Sequence, residues 1–137
     1  DEPKTVEMIG SDKPLYGRHV HRLGRSVVLV EGVFDHFATP NSYAVMGSTV
    51  TRGQCDQLAK DGVDRVFLFF DPDATENAKL AAVKLNRHNV GAYPVSSHFG
   101  GDPADLGSAV MADIVNHLLA LPEGKSRRAS RVIDVCP

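Results

Sequence analysis

Residues Ser26–Val30 read Ser-Val-Val-Leu-Val and stop abruptly on Glu31-Gly32. A short, unbroken, β-branched run has no polar face to offer water, so it belongs to a strand covered on both sides, as in a parallel sheet. The pattern recurs in Ser42–Val45, which ends at Met46-Gly47-Ser48, and in Arg65–Phe70, which ends at Asp71-Pro72-Asp73. A fourth run, Gly91–Val95, precedes a polar, glycine-rich turn from Ser96 to Asp102.

Helical patterns fill the intervals. Val33–Ala38 has room for a short helix, and Thr51–Lys60 for a second with Thr51 as N-cap. In Ala74–Asn89 the residues Ala78, Ala81, Ala82 and Leu85 recur at helical spacing. From Pro103 to Leu121 the spacing of Leu106, Val110, Ile114 and Leu118 predicts one further helix, with Pro103 in its first turn. Strand and helix thus alternate, which predicts an α/β, Rossmann-like fold: about four parallel strands with helices on both faces. This domain spans 26–121. Residues 1–25 form a flanking arm or the end of a preceding subdomain, and 122–137 form a tail in which Arg131–Val135 has the composition of an edge strand.

Composition narrows the function classes. With 137 residues, one hydrophobic core is expected. No apolar run approaches the roughly 20 residues needed to span a bilayer, and the opening Asp-Glu-Pro-Lys has no signal-peptide character, so a cytoplasmic, membrane-free protein is expected. Cys55 and Cys136 are far apart and form no CxxC pair, which points to buried or inert thiols rather than to zinc or a disulfide framework. A formal charge of −2 excludes a general polyanion-coating protein but not a local basic groove. The abrupt start and the basic Lys125-Ser126-Arg127-Arg128 stretch suggest a piece of a longer chain.

Ligands of open α/β sheets bind beyond the carboxyl ends of the strands, where Glu31, the Asp71/Asp73 pair and Asp102 fall. A carboxylate directly after an apolar strand adds nothing to the core, and several together repel one another. A divalent cation resolves the conflict, and all-oxygen donors suit magnesium or manganese. The fixed φ of Pro72 holds Asp71 and Asp73 in a tight turn, so both can address one ion. Gly32 leaves space beside Glu31 for a phosphate or a backbone. Glu31 is then a further ligand or the group that moves a proton. Each feature alone has an ordinary reading. A single acid after a strand is usually a cap or a solvated loop residue. Asp105 serves its helix dipole as readily as a metal, and Asp35 faces the same rim or solvates its helix. His19 and His21 fit a surface arm better than a metal. The coincidence of acids at three strand ends carries the argument.

Those residues resemble a known family. Val28-Leu-Val-Glu31-Gly32-Val-Phe-Asp35, then Phe-Phe-Asp71-Pro-Asp73, then Gly101-Asp102-Pro-Ala-Asp105 is similar to the TOPRIM domain of DnaG-type and bacteriophage primases, over about Ser26–Leu121. The resemblance implies that Glu31, Asp71 and Asp73 are catalytic and that they and Asp102 hold Mg2+ or Mn2+. Asp35 and Asp105 stand at additional acidic positions typical of the primase branch. It implies a nucleotidyltransferase, a DNA primase making RNA primers on single-stranded DNA from nucleoside triphosphates during replication in a bacterial or phage-infected cell. A replicative helicase is a candidate partner. Gly47, Thr51 and Gln54 resemble the family's loop and helix between the first acidic motifs, and Leu15-Tyr16-Gly17 a segment that precedes the domain. Two positions depart from the family: Thr75-Glu76-Asn77 replaces a glycine-containing stretch, and Gly101 replaces a lysine, so phosphate contacts there are not carried over. With neither a cysteine-rich zinc domain nor a P-loop in the chain, a fragment or a phage-like minimal form is expected. Lys13, Arg18 and Arg22 are the candidate nucleic-acid contacts. Rival expectations are a TOPRIM nuclease that activates water with the same acids, a non-catalytic TOPRIM module that binds nucleic acid or a replication partner, and a phosphoryl-transfer domain of the receiver or phosphatase kind.

Overall fold

A computed structural model of the chain describes residues 13–123 and 131–136; the Lys125–Arg128 segment and the part of the arm before Lys13 lie outside the described residues. Five strands form one parallel sheet in the order β2-β1-β3-β4-β5. They are β1 (Ser26–Val30), β2 (Ser42–Ala44), β3 (Arg65–Leu68), β4 (Gly91–Ser97) and β5 (Ile133–Val135). The helices are α1 (Val33–Ala38), α2 (Arg52–Lys60), α3 (Thr75–Arg87), α4 (Pro103–Leu106) and α5 (Ser108–Leu119), with a 3-10 turn at Pro72–Ala74. The expected α/β architecture is therefore present, with β5 added outside β4 as a fifth strand.

The apolar runs are continuous because alternate residues serve two different cores. Val27, Leu29, Val66, Leu68 and Phe70 face one side, against Cys55 and Leu58 of α2 and Ala78, Ala82 and Leu85 of α3. Val28, Val30, Phe67 and Phe69 face the other, against Met111, Ile114, Val115 and Leu118 of α5. A period-2 side-chain alternation between two covered faces leaves only the first residues of β1 and β3, Ser26 and Arg65, polar.

Caps decide where the helices begin and end. Thr51 and Gln54 form a reciprocal capping box on α2, the Thr51 hydroxyl accepting the Gln54 N–H at 3.1 Å and the Gln54 side chain accepting the Thr51 N–H at 3.0 Å. The single helix expected over Pro103–Leu121 is instead broken at Gly107, whose φ of +88° separates α4 from α5. Apolar periodicity runs across this break because both pieces bury the same side, so spacing alone did not reveal it.

Before the sheet, the arm is fastened along the β2 edge. Tyr16 bridges Ala44 in antiparallel fashion, and the Tyr43 hydroxyl both donates to the His21 carbonyl (3.0 Å) and accepts the Leu23 N–H (2.8 Å). Cys55 is buried and its thiol is pushed up to about 11 by burial, whereas Cys136 is exposed. The inert-thiol expectation therefore describes the first cysteine, and the second faces solvent.

Arg65, at the amino end of β3, is buried yet fully employed. Its guanidinium donates to Leu121 O (2.7 Å), Leu119 O (3.2 Å) and Ser26 Oγ (3.0 Å), satisfying carbonyls at the end of α5. Its Cζ also lies 5.1 Å from the Phe67 ring centroid. Arg65→Ala is expected to lower the unfolding free energy by about 3 kcal/mol in urea titration, since buried carbonyls lose charged donors. Arg65→Lys should recover only part of this, because a single ammonium cannot reproduce the fork.

Candidate metal centre

The chain runs from β1 to β2 on one side and later returns to place β3 on the other. This reversal opens a crevice at the carboxyl ends of β1 and β3, the usual ligand position in such sheets. Glu31 directly follows β1, and Asp71 follows the Phe69-Phe70 extension of β3. Asp35 enters from the first turn of α1 and Asp102 from the N-cap of α4.

Glu31 ties the rim together. Its carboxylate Oε1 accepts the Asp71 N–H at 2.6 Å, while its backbone carbonyl accepts the N–H groups of Met46 (2.8 Å) and Gly47 (3.1 Å). Positive φ values at Met46 (64°) and Gly47 (143°) turn the chain after β2 so that both amides reach that carbonyl. One residue thus joins the ends of three adjacent strands.

Asp35, Asp71 and Asp102 each bring a carboxylate oxygen to a common point, all three within 4.8 Å of one another. Asp35 is held by the Ala104 N–H, which donates to its Oδ1 at 3.0 Å. Asp102 is held by its capping box: its Oδ1 accepts the Asp105 N–H at 2.9 Å and the Asp105 Oδ2 accepts the Asp102 N–H at 3.3 Å. Asp71 Oδ1 is different, being buried with no hydrogen-bond partner among the described residues. A buried carboxylate oxygen without a partner on Asp71, together with the approach of that carboxylate to those of Asp35 and Asp102, makes a donor set that a hard divalent cation satisfies. The residues present therefore fit magnesium or manganese, with Asp35, Asp71 and Asp102 as holders.

The electrostatics agree. Burial, the main cause, raises the Asp71 carboxyl above its ordinary range, and the charges of Asp102, Asp73 and Asp105 raise it further. Asp35 is raised by burial and then by Asp102 and Asp71, against the Ala104 N–H that lowers it. Glu31 is raised by burial and by Asp71, Asp35 and Asp102, with the Asp71 N–H opposing.

The remaining candidates fall in different places. Asp73 is exposed in the 3-10 turn, near enough to Asp71 to act on it by charge but outside the trio. Asp105 serves as the partner of the Asp102 cap. Lys13 reaches the rim, donating from Nζ to Met46 O at 3.1 Å. Arg18 is committed to Asp61, at the far end of α2, through two bonds of 2.6 and 2.8 Å, and Arg22 approaches the same carboxylate at 3.9 Å. His19 and His21 lie on the arm, outside the acidic group. Gly32 has ordinary φ (−125°), and a Cβ there would meet only Asp35 Oδ2, at 4.0 Å. The fold does not demand glycine at that position, so the space beside Glu31 is available to a ligand. Gly101 is demanded: its φ is +85° and a Cβ would lie 2.9 Å from that of Asp105. The Ala104 amide was missed from the sequence because a backbone donor leaves no trace in residue type.

A raised carboxyl in the folded state means that the fold binds protons more tightly than the unfolded chain, so stability falls as pH rises from the ordinary carboxylate range through the raised values. Metal-free protein should accordingly melt higher at mildly acidic than at neutral pH as far as these three acids govern it. Magnesium should raise the melting temperature at neutral pH, by the equivalent of about 2.7 kcal/mol at a hundredfold excess over its dissociation constant. Asp71→Asn should abolish the magnesium-dependent shift and raise the metal-free value at neutral pH. Melting curves that ignore magnesium in the wild-type chain would exclude a metal centre here.

No family model and no curated protein matches the chain. Among solved structures, the chain is similar to the Aquifex aeolicus primase, solved as its zinc-binding and RNA polymerase domains. The TM-score is 0.58 and the identity 26%, over 69% of this chain and 25% of that one. The chain thus spans about a quarter of the length of the primase it matches, and what it shares with that protein is a primase-like α/β fold.

Proposed function

We propose that this chain is the TOPRIM catalytic domain of a DNA primase, which makes RNA primers on single-stranded DNA with magnesium or manganese. The observation that carries the reading is the convergence of Asp71, which has a buried Oδ1 without a partner, with Asp35 and Asp102, at the switch point of a fold similar to a primase. The Glu31, Asp71-Pro72-Asp73 and Asp102-Pro103-Ala104-Asp105 motifs supply the finer assignment.

In this reading Asp35, Asp71 and Asp102 hold the cation, and Glu31 positions Asp71 through its backbone amide. A cation held by these three carboxylates would supply Lewis acidity toward the attacking hydroxyl and positive charge against the triphosphate. Glu31, whose carboxyl burial raises, takes the proton of the primer 3′-hydroxyl. Asp73, exposed beside Asp71, adds its charge to the acidic field. Lys13 adds a cation at the rim for a phosphate, and the open side of Gly32 admits the chain of the substrate.

Asp71→Ala is expected to reduce primer synthesis on single-stranded DNA at least about a hundredfold, with Asp73→Ala also impaired and both variants folded by circular dichroism. Full synthesis by the Asp71 variant would overturn the reading. Metal-dependent nicking of nucleic acid without nucleotide incorporation would assign the same acids to a nuclease.

A further inference from the structure

Two phenylalanines on α1 lie open to solvent, Phe34 at 79% exposure and Phe37 at 65%. They are three residues apart, so they share the outer face of the helix with Cβ atoms roughly 5–6 Å apart. Asp35, between them, points the other way into the acidic rim, where it is buried. The aromatic face continues from Phe37 to Tyr16, with ring centroids 6.2 Å apart, and from Tyr16 to His19 at 5.6 Å. Val20, in the same turn of the arm, is also exposed. An isolated exposed phenylalanine is ordinary, but a contiguous set of rings leading away from a metal rim is an interaction surface.

Charge selects the partner. Between Lys13 and Arg25 the arm carries four cations and no acid, in a chain whose net charge is −2. Arg18 and Arg25 are paired with Asp61 and Asp64; Arg22, at 58% side-chain exposure, lies 3.9 Å from the Asp61 carboxylate that Arg18 already holds, and His19 and His21 are exposed beside it. The surface is also preorganised: the Tyr16–Ala44 bridge, the Tyr43 hydroxyl and the Arg18–Asp61 pair fix the arm, and Gly17 lets it pass against the His36 ring, where a Cβ would sit 2.8 Å from Cε1. Exposed rings beside a run of cations match the stacking platforms that hold unpaired bases, with phosphates outside.

We infer that the outer face of α1 and the adjoining turn of the arm form a stacking surface for single-stranded nucleic acid, with Phe34 and Phe37 as the base-contacting rings. The inference rests on the primase reading for the identity of the strand, its template. It extends that reading by assigning the path the strand takes to the acidic rim, from the arm along α1 to Asp35.

The test is binding of a fluorescently labelled oligothymidine, and of the same oligonucleotide carrying 2-aminopurine, to the whole chain, with primer synthesis assayed in parallel. Phe34→Ala/Phe37→Ala should weaken binding at least about tenfold and remove the 2-aminopurine quenching, while leaving the slope of affinity against salt unchanged. Phe34→Tyr/Phe37→Tyr should restore both, since a tyrosine ring stacks as well. Arg22→Ala should instead flatten the salt slope by about one. Because the two phenylalanines are exposed, the variants should melt with the wild type. Undiminished binding by the double alanine variant would overturn the inference and leave the aromatic face to a protein partner, as would absence of oligonucleotide binding by the wild type. Loss of binding in that variant, with no primer synthesis by the wild-type chain, would sustain the stacking surface and remove the polymerase reading. Normal synthesis with binding indifferent to the rings would do the reverse.

Discussion

The register of β1 against β3 is the constraint on which the remainder depends. Val28 pairs with Phe67 and Leu29 with Leu68, so the two strands leave the sheet side by side and Glu31 meets the Asp71 amide. A slip of one residue would exchange every side chain between the two cores and would part Glu31 from that amide. Both strands are buried on both faces, so neither slip nor rotation has a low-energy alternative. The placement of Glu31 beside Asp71 is inherited from the packing beneath the rim.

That placement has an electrostatic cost. Desolvation and mutual repulsion raise Glu31, Asp35 and Asp71 together, and backbone amides oppose this: Asp71 N–H at Glu31, and Ala104 and Gly32 N–H at Asp35. Asp71 Oδ1 receives nothing. A domain built for stability alone would gain by replacing these acids, so their convergence at one point speaks for a ligand that settles the charge. The same rim gives rise to the aromatic face of α1, since a helix whose inner side delivers Asp35 must turn Phe34 and Phe37 outward.

Much of the fold was legible in residue order because its signals are local. Apolar runs that stop on acids located β1 and β3, Thr51 announced the start of α2, and Arg131–Val135 had the composition of the strand that became β5. Other features depended on geometry between distant segments. The break at Gly107 was hidden by unbroken apolar spacing, and the commitment of Arg18 to Asp61 links residues 43 apart. The acids themselves were identified, but their grouping was not: Asp35 and Asp102 converge on Asp71, whereas Asp73, two residues away, remains in solvent.

Residue order alone was sufficient for the layered α/β class and for the acidic character of the strand ends, because burial periodicity and charge are properties of neighbours in the chain. It could not say which carboxylates come together, since that choice follows from the directions in which separate segments approach the crevice. Those directions are set by strand register, by the turn at Met46-Gly47 and by the Asp102 cap. Nor could it separate an exposed phenylalanine from a buried one on a six-residue helix, because only the packing of α1 against α4 and β2 fixes which side faces out. Distances between segments are products of the whole packed chain, and no local pattern encodes them.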